Sequence, residues 1–354
     1  MHELSALGFG PFFAEQITNE DTIVARVAAE HRGGYEVWSA QGDGFAQLAG
    51  RLTYEQSDDA LPGVGDFVTL KAPPDEGRVA VIDRVLTRRT VFTRGAAGRV
   101  AKGQVVAANV DTVFAVCGLD DDFNVRRVER YLARIWAGGA QPVVVLSKAD
   151  LCDDIAGRVA NIEAVAIGVP VIVTSVFDDV GIDDMAGHIP PGTTAALVGS
   201  SGAGKSTLIN ALLGDEIMAT GEVRHRDGRG RHTTTHRQLI ALPNGGLLID
   251  TPGMRELQLF DEEGLGSVFA DIEALAARCR FSDCTHRSEP GCAVRVAIDD
   301  GELSADRFEH YEKLEKEARA YEVRHDAAAQ RKQGKQFNKI YKEAIKESKR
   351  KRGR

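Results

Sequence analysis

The stretch Gly199-Ser-Ser-Gly-Ala-Gly-Lys-Ser206 follows a short apolar run at 195–198 and precedes a helical pattern at 207–213. Strand, glycine-rich loop and helix, in that order, form the setting that a phosphate-binding loop requires. The glycines allow backbone N–H groups to turn inward on a phosphate chain, and the N-terminus of the helix adds partial positive charge. The stretch therefore predicts a nucleotide-binding α/β domain.

Two side chains of this loop are expected to act on the phosphates directly. Lys205 would reach the β- and γ-phosphates and support catalysis there, and Ser206 would hold Mg²⁺. The loop residues predicted to bind the nucleotide are Gly199, Ser200, Ser201, Gly202, Ala203, Gly204, Lys205, Ser206 and Thr207. The loop by itself leaves open which nucleotide binds.

A second motif, Asp250-Thr-Pro-Gly253, directly follows the apolar run at 246–249. Its Asp-x-x-Gly pattern is similar to the switch motif of GTPases. Asp250 would reach Mg²⁺ through water, and the N–H group of Gly253 would sense a γ-phosphate. The motif is weak alone, but downstream of a phosphate-binding loop it indicates a nucleotide switch.

A third motif, Ser147-Lys-Ala-Asp150, resembles the guanine-recognition motif and follows an apolar run at 142–146. Asp150 would accept hydrogen bonds from the N1–H and 2-amino groups of guanine, a pair of donors that adenine lacks. Lys148 would lie along the base and brace the phosphate loop, and Ala149 completes the predicted set. Ser147 stands where this motif usually has Asn, so one side-chain contact is shortened or lost.

The order of these motifs is the reverse of that in most GTPases, because the guanine motif precedes the phosphate loop. A nucleotide senses only the spatial arrangement, so a circularly permuted sheet can rebuild the same pocket. Strands alternate with helices in the predicted pattern, which indicates a parallel α/β sheet. The predicted strands are 110–117, 142–146, 169–174, 195–198, 238–242 and 246–249, with helices at 124–136 and 155–166.

The stretch 221–236 is rich in Gly, Arg and Thr and lies where a switch loop is expected. Thr233 and Thr234 are the catalytic candidates there, with Thr234 as a second Mg²⁺ ligand. Met254 occupies the position that holds a water-activating Gln in Ras-like enzymes, so His232 is the candidate for orienting the attacking water. The alternative is that His232 is a surface or phosphate-contacting histidine.

Cysteine and histidine cluster downstream, as Cys279, Cys284, His286 and Cys292. Three thiolates and one imidazole suit a closed tetrahedral Zn²⁺ site. No further ligand remains for an open catalytic position, so the predicted role of zinc is structural.

The rest of the chain suggests three domains within 354 residues. Five short apolar runs in 22–86, separated by Gly and Pro turns, predict a small OB-like β-barrel. We place an OB-fold-like RNA-binding domain at 1–90 with a basic connector to 108, a circularly permuted GTPase domain at 109–264, and an α-rich zinc-binding domain at 265–354. A helix near 265–277 and another from 304 are expected in the last domain. Phe308, Tyr311, Leu314, Ala318 and Tyr321 recur at helical spacing in the second helix, as core residues do.

Charge is unevenly spread along the chain. The formal net charge is −8, yet residues 330–354 carry eleven Lys or Arg against two Glu. An acidic body with a basic tail indicates a polyanionic partner reached through the tail. No run of 18 apolar residues occurs, so no membrane span is expected, and the clustered cysteines favour a reducing, cytoplasmic compartment.

Taken together, the motifs resemble the RsgA (YjeQ) family of ribosome small-subunit-dependent GTPases. The stretches that carry the resemblance are 107–111, Ser147–Asp150, Gly199–Thr207, 230–235, Asp250–Gly253 and Cys279–Cys292. The resemblance implies slow GTP hydrolysis stimulated by the small ribosomal subunit, and a role in its late maturation. It also implies rRNA contact through the OB and zinc domains, and it favours His232 for positioning water. Ser147 departs from the family pattern, which has Asn or Thr.

The sequence therefore predicts a monomeric GTPase with Mg²⁺ and one structural zinc ion, acting on the small ribosomal subunit. One alternative is an RNA-binding assembly chaperone that uses GTP mainly as a structural ligand. Another is a P-loop ATPase or small-molecule kinase, against which Asp150 and the switch motifs argue.

Overall fold

The computed structural model describes residues 2–50, 52, 61–74, 78–95, 103–214, 237–250 and 263–320. Among these residues no helix combines the length and the apolar character needed to cross a bilayer. Tyr321 and the basic tail lie outside the described residues.

A closed five-stranded barrel lies at the N-terminal end of the chain. Its strands are β1 (Ile23–His31), β2 (Gly34–Ser39), β3 (Gly42–Leu48), β4 (Phe67–Leu70) and β5 (Ala80–Val85). β1 pairs with both β2 and β4, and β3 runs parallel to β5, so the ring closes in the order 1-2-3-5-4. The interior is filled by small and branched side chains such as Val27, Val37, Val68 and Ile82. The prediction of an OB-like barrel is confirmed.

A short helix, α1 (Pro11–Ala14), closes one end of the barrel. Phe13 on this helix is buried, and its ring lies 4.5 Å from that of Phe67 on β4. The apolar contacts of Leu7, Phe13 and Phe67 fix the first residues of the chain to the barrel.

The stretch expected to be a basic connector contains a β-hairpin instead. Strands β6 (Val91–Gly95) and β7 (Gly103–Ala108) pair antiparallel. The hairpin is anchored by Phe92, which is buried together with Val106 and Ala107. These apolar runs are short and interrupted by glycine, so their sequence pattern did not indicate strands.

The central sheet has six strands in the order β10-β9-β8-β11-β13-β12. They are β8 (Thr112–Gly118), β9 (Gln141–Ser147), β10 (Val171–Val173), β11 (Thr194–Gly199), β12 (Gln238–Ala241) and β13 (Leu247–Asp250). The first five in the spatial order are parallel, and β12 is antiparallel to β13. β8, β9, β11 and β13 are buried along nearly their whole length, as strands covered on both faces are.

Helices cover the two faces of this sheet. They are α2 (Val125–Ala137), α3 (Ile155–Glu163), α4 (Ile182–Gly187) and α5 (Lys205–Leu213), with a 3₁₀ turn at Ala149–Leu151. Successive residues of β8 point to opposite faces: Cys117 packs with α2 and α3, and Val116 packs with α4 and α5. Asn124 caps α2, since its side chain accepts a hydrogen bond from the N–H group of Arg127.

The barrel and the central sheet are joined at β1 and β12, where Ala29 is the register partner of Gln238. Next to this pairing, Arg237 Nη1 lies 3.3 Å from Glu30 Oε2. Arg26 on β1 is fully buried and donates hydrogen bonds to the carbonyl oxygens of Leu7, Gly65 and Asn109. Burial lowers the pKa of Arg26 to about 10. One side chain thus links the N-terminal segment, the barrel and the chain entering β8.

The C-terminal region packs its helices against α2. They are α6 (Glu263–Val268), α7 (Ala270–Ala276), α8 (Ala293–Asp299) and a longer helix, α9, at 305–320. The helix predicted near 265–277 is present as two helices, α6 and α7, because Phe269 (φ −111°, ψ 34°) leaves the helical conformation between them. Leu314 and Ala318 are fully buried, and Phe308 and Tyr311 pack against the same core, so their predicted core role is confirmed.

Candidate nucleotide site and cysteine–histidine cluster

The predicted nucleotide motifs meet at one edge of the central sheet. In the parallel register Gly118 faces Ser147, and Val116 faces Gly199. Asp250 is the last residue of β13, and β13 pairs with the edge of β11 that faces away from β8. The carboxyl ends of β8, β9, β11 and β13 therefore lie side by side, which is where open α/β sheets bind their ligands.

Ser147 connects the guanine motif to the phosphate loop. Its buried hydroxyl donates a hydrogen bond of 2.7 Å to the carbonyl oxygen of Ala203. A Cβ atom added to Gly204 would lie only 3.8 Å from the same hydroxyl oxygen. The short side chain of Ser147 therefore reaches the phosphate loop directly.

Lys148 adopts the left-handed conformation (φ 62°), which turns the chain sharply after β9. Its Nζ atom donates a hydrogen bond of 2.6 Å to Asp120 Oδ2. Asp120 follows β8, and the neighbouring N–H group of Leu119 donates to the carbonyl oxygen of Ser147. The side chain of Lys148 is thus held by a carboxylate at the end of the neighbouring strand, β8.

Asp150 lies in the 3₁₀ turn against the loop that follows β10. The hydroxyl of Ser175 is 2.9 Å from Asp150 Oδ1 and 3.0 Å from Asp178 Oδ2. The same hydroxyl accepts a hydrogen bond from the N–H group of Asp178, and the N–H group of Ala149 donates to the carbonyl oxygen of Thr174. The loop at 173–176 therefore lies beside the guanine motif.

The phosphate loop has the tight backbone that glycine permits. A Cβ atom at Gly199 would lie 2.5 Å from the carbonyl oxygen of Val116, and Gly204 has φ +84°. Gly204 is the residue before α5, so the free N–H groups of the helix start beside the loop. Lys205 Nζ donates to the carbonyl oxygens of Gly199 (2.9 Å) and Ser200 (2.5 Å), which places its ammonium group within the loop.

Asp122 contacts the phosphate loop from the segment after β8. It accepts hydrogen bonds from Arg127 Nη1 (2.6 Å) and from the hydroxyl of Ser200. Burial alone would raise the pKa of Asp122, but the hydrogen bonds from Arg127 and Ser200 outweigh it and hold the pKa below its ordinary value.

Sequence reasoning missed Asp120 and Asp122. The available signal was their position directly after a parallel strand, at the edge where such sheets bind ligands. The predicted site residues His232, Thr233, Thr234 and Gly253 lie outside the described residues.

The cysteine and histidine residues of the C-terminal region converge. The ligand atoms of Cys279, Cys284, His286 and Cys292 all lie within 4.8 Å of one another. His286 Nδ1 is 3.5 Å from the sulfur of Cys279 and 3.4 Å from that of Cys292, and these sulfurs are 3.9 Å apart. A tetrahedral zinc site with ordinary bond lengths would have sulfur–sulfur edges of about 3.8 Å and sulfur–nitrogen edges of about 3.6 Å. The cluster is therefore compatible with a zinc ion.

A carboxylate organises the loop that carries His286. Glu289 accepts hydrogen bonds from the N–H groups of Thr285, Arg287 and Ser288, and from the hydroxyl of Thr285. These hydrogen bonds lower the pKa of Glu289 to about 2, and the hydrogen bond from the Thr285 hydroxyl has the largest effect. Cys292 begins α8, where its sulfur accepts from the N–H group of Arg295.

The profile of the RsgA GTPase family matches residues 85–260. A protein of Opitutus terrae, named small ribosomal subunit biogenesis GTPase RsgA, is 49% identical over 352 residues, which cover 96% of each chain. The chain belongs to the RsgA GTPase family. A protein of the same name from Xylella fastidiosa strain 9a5c is 50% identical over 295 residues, covering 82% of this chain and 84% of its own.

Two solved structures share the RsgA architecture. The crystal structure of YjeQ from Thermotoga maritima has a TM-score of 0.63 at 28% identity, covering 84% of this chain and 98% of its own. The structure described as YloQ, a circularly permuted GTPase, has a TM-score of 0.59 at 26% identity, covering 86% and 97%. The fold is therefore an OB-like barrel, a circularly permuted GTPase sheet and an α-rich C-terminal region, as predicted.

Proposed function

We propose that this RsgA-family chain hydrolyses GTP to GDP and phosphate, and that it binds the small ribosomal subunit and assists its late maturation. The observation that carries the proposal is the contact between Ser147 and Ala203, which joins the guanine motif and the phosphate loop at one sheet edge. The names of relatives that match nearly the whole chain supply the ribosomal role.

Each part of the pocket has a proposed task. Ser147, Lys148, Ala149 and Asp150 hold guanine, and Asp150 excludes adenine because its carboxylate would lack donors there. The loop from Gly199 to Thr207 holds the phosphates, with Lys205 neutralising charge that spreads over the γ-phosphoryl oxygens during transfer. Asp250 reaches Mg²⁺ through water, and the N–H group of Gly253 senses the γ-phosphate.

Ser206 and Asp250 are oxygen donors at the start of α5 and the end of β13, the chemistry that Mg²⁺ prefers. We propose that Ser206 and Thr234 would hold this ion, which when bound would withdraw negative charge from the phosphates. Thr233, beside Thr234, completes the switch segment. His232 orients the attacking water. The water oxygen bonds to the γ-phosphorus, the bond from that phosphorus to the bridging oxygen retained by GDP breaks, and the proton of the water passes to the released phosphate.

The cysteine–histidine cluster is proposed to hold one zinc ion in a structural role. The three cysteine sulfurs and the ligand atom of His286 lie within 4.8 Å of one another, and Glu289 accepts hydrogen bonds from the loop between them. The measurement that tests it is the zinc content of purified protein, together with loss of zinc from Cys279→Ser.

We propose domain boundaries near 90, 109 and 265, rRNA contact through the barrel, the zinc region and the basic tail, and a monomer in the cytoplasm. Eleven basic residues within 330–354 support the tail's part in rRNA binding, because each contacted phosphate releases counterions.

The test is phosphate release under multiple-turnover conditions, with GTP and ATP, for wild type, Lys205→Ala and His232→Ala. We expect the wild type to hydrolyse GTP but not ATP, and we expect both variants to hydrolyse GTP more slowly than the wild type. Equal rates for His232→Ala and wild type would remove the role of His232. GTP binding without turnover, with and without small subunits, would favour an RNA-binding chaperone that uses GTP as a structural ligand.

A further inference from the structure

The segment after β8 places a carboxylate on the lysine of the guanine motif. Lys148 Nζ and Asp120 Oδ2 are 2.6 Å apart, and the two side chains are only 24% and 27% exposed. A lysine side chain has a flexible four-carbon stem, so its direction is poorly fixed unless the ammonium group is held. Asp120 gives this stem one direction.

Asp120 is itself fixed relative to both halves of the pocket. Its Oδ1 atom accepts a hydrogen bond of 3.1 Å from the N–H group of Asp122, whose own carboxylate contacts Ser200 of the phosphate loop. On the other side, Leu119 donates to the carbonyl oxygen of Ser147. The segment 119–122 thus spans from the guanine motif to the phosphate loop.

An ion pair that still has partial access to solvent contributes little to folding stability. Its larger effect is expected on binding, because a side chain already held in its bound direction loses less freedom when the ligand arrives.

We propose that Asp120 is a positioning residue for nucleotide binding, which holds the stem of Lys148 along the purine ring. The inference rests on the proposed placement of guanine at Lys148 and Asp150. Asp120 affects nucleotide affinity through Lys148, and not through other residues of the pocket or through the γ-phosphate.

The test is a double-mutant cycle measured by calorimetric titration with GDP and with inosine diphosphate, which lacks the 2-amino group. The variants are Asp120→Asn, Lys148→Met and the double variant. Asp121→Asn is the matched control, since it makes the same charge change at an exposed residue of the same segment.

We expect Asp120→Asn to weaken both nucleotides by the same factor, about fivefold, because the ring face is common to both. Asp121→Asn binds as wild type does. In the Lys148→Met background, Asp120→Asn has no further effect, since the group it holds is gone.

Two results would overturn the positioning role. One is wild-type affinity in Asp120→Asn. The other is an equal loss from Asp120→Asn with and without Lys148, which would also be the sign of a general folding defect. If the proposed function itself is wrong, the wild type will bind ADP as tightly as GDP in the same titration. That result would also contradict the positioning role of Asp120.

Discussion

The hydroxyl of Ser147 donates to the carbonyl oxygen of Ala203, a residue 56 positions later in the chain. This contact unites a guanine motif and a phosphate loop whose order is the reverse of that in most GTPases. The serine, at a position where the motif usually has asparagine, thus still contacts the phosphate loop.

Removing this brace should weaken nucleotide binding. In Ser147→Ala the buried carbonyl oxygen of Ala203 loses its side-chain partner, at a cost of about 1 kcal/mol, so GDP should bind about fivefold more weakly. Calorimetric titration measures the change. Ser5→Ala, an exposed serine in the N-terminal segment, serves as the control and should bind as wild type does. Unchanged affinity in Ser147→Ala would show that the loop holds its shape without the contact.

The carboxylate of Asp150 should decide which base is bound. Asp150→Asn replaces one acceptor by an amide that can donate, so it matches the 2-carbonyl oxygen of xanthine better than the 2-amino group of guanine. We expect GDP affinity to fall at least tenfold and xanthosine diphosphate affinity to rise. If the variant keeps the wild-type preference for GDP, the base lies elsewhere.

A buried ionic network joins α2 of the GTPase sheet to the C-terminal helices. Arg307 on α9 contacts Glu129, which is fully buried, and makes two hydrogen bonds of 2.9 Å to Asp271. Breaking a buried ion pair leaves an uncompensated charge, so Arg307→Met should lower the free energy of unfolding by about 3 kcal/mol.

Denaturant unfolding measures this loss, with Arg319→Met as the control on the same helix. Arg319 pairs with Glu315 at the surface, where such a pair contributes less than about 1 kcal/mol. A similar loss from both variants would mean that the buried network has no special role in joining the two regions.

His310 should make stability depend on pH in a definite window. Its side chain is buried near four cations: Arg126, Arg130, Lys313 and Arg307. Burial is the main cause that lowers its pKa from 6.5 to about 4, and repulsion by these cations adds to the shift. The unfolded chain therefore binds a proton at His310 between pH 6.5 and 4 that the folded protein does not bind. The contribution of His310 to stability falls as the pH falls through this window and is constant above it.

The measurement is the thermal unfolding midpoint of wild type and His310→Leu between pH 4.5 and 7.5. The wild-type midpoint should fall more steeply on acidification than that of the variant. Parallel curves would contradict the assignment.

The sequence predicted the pocket better than it predicted the connections between regions. The phosphate loop and the guanine motif are local patterns, because glycine, lysine and aspartate at fixed spacing are required by the phosphates and the base. The partners Asp120 and Asp122 depend on the strand order β9-β8-β11, which places the end of β8 between the two motifs. No local pattern carries that information.

The same reason explains the core shared by α2 and the C-terminal helices. Apolar periodicity predicted that Leu314 and Ala318 face a core, but not that this core contains Leu132 of α2 and Leu146 of β9. The hairpin of β6 and β7 was missed because its strands are short and depend on packing of Phe92 against distant residues. Long-range packing decides these features, whereas local spacing decides the motifs.

The central claim is that GTP hydrolysis in this pocket responds to the small ribosomal subunit. The most direct measurement is single-turnover GTP hydrolysis with purified small subunits, with large subunits and with neither, for wild type and Lys205→Ala. We predict that small subunits accelerate wild type by at least about tenfold, a lowering of the barrier by about 1.4 kcal/mol, while large subunits do not and Lys205→Ala stays slow. Equal wild-type rates in all three conditions would contradict the account.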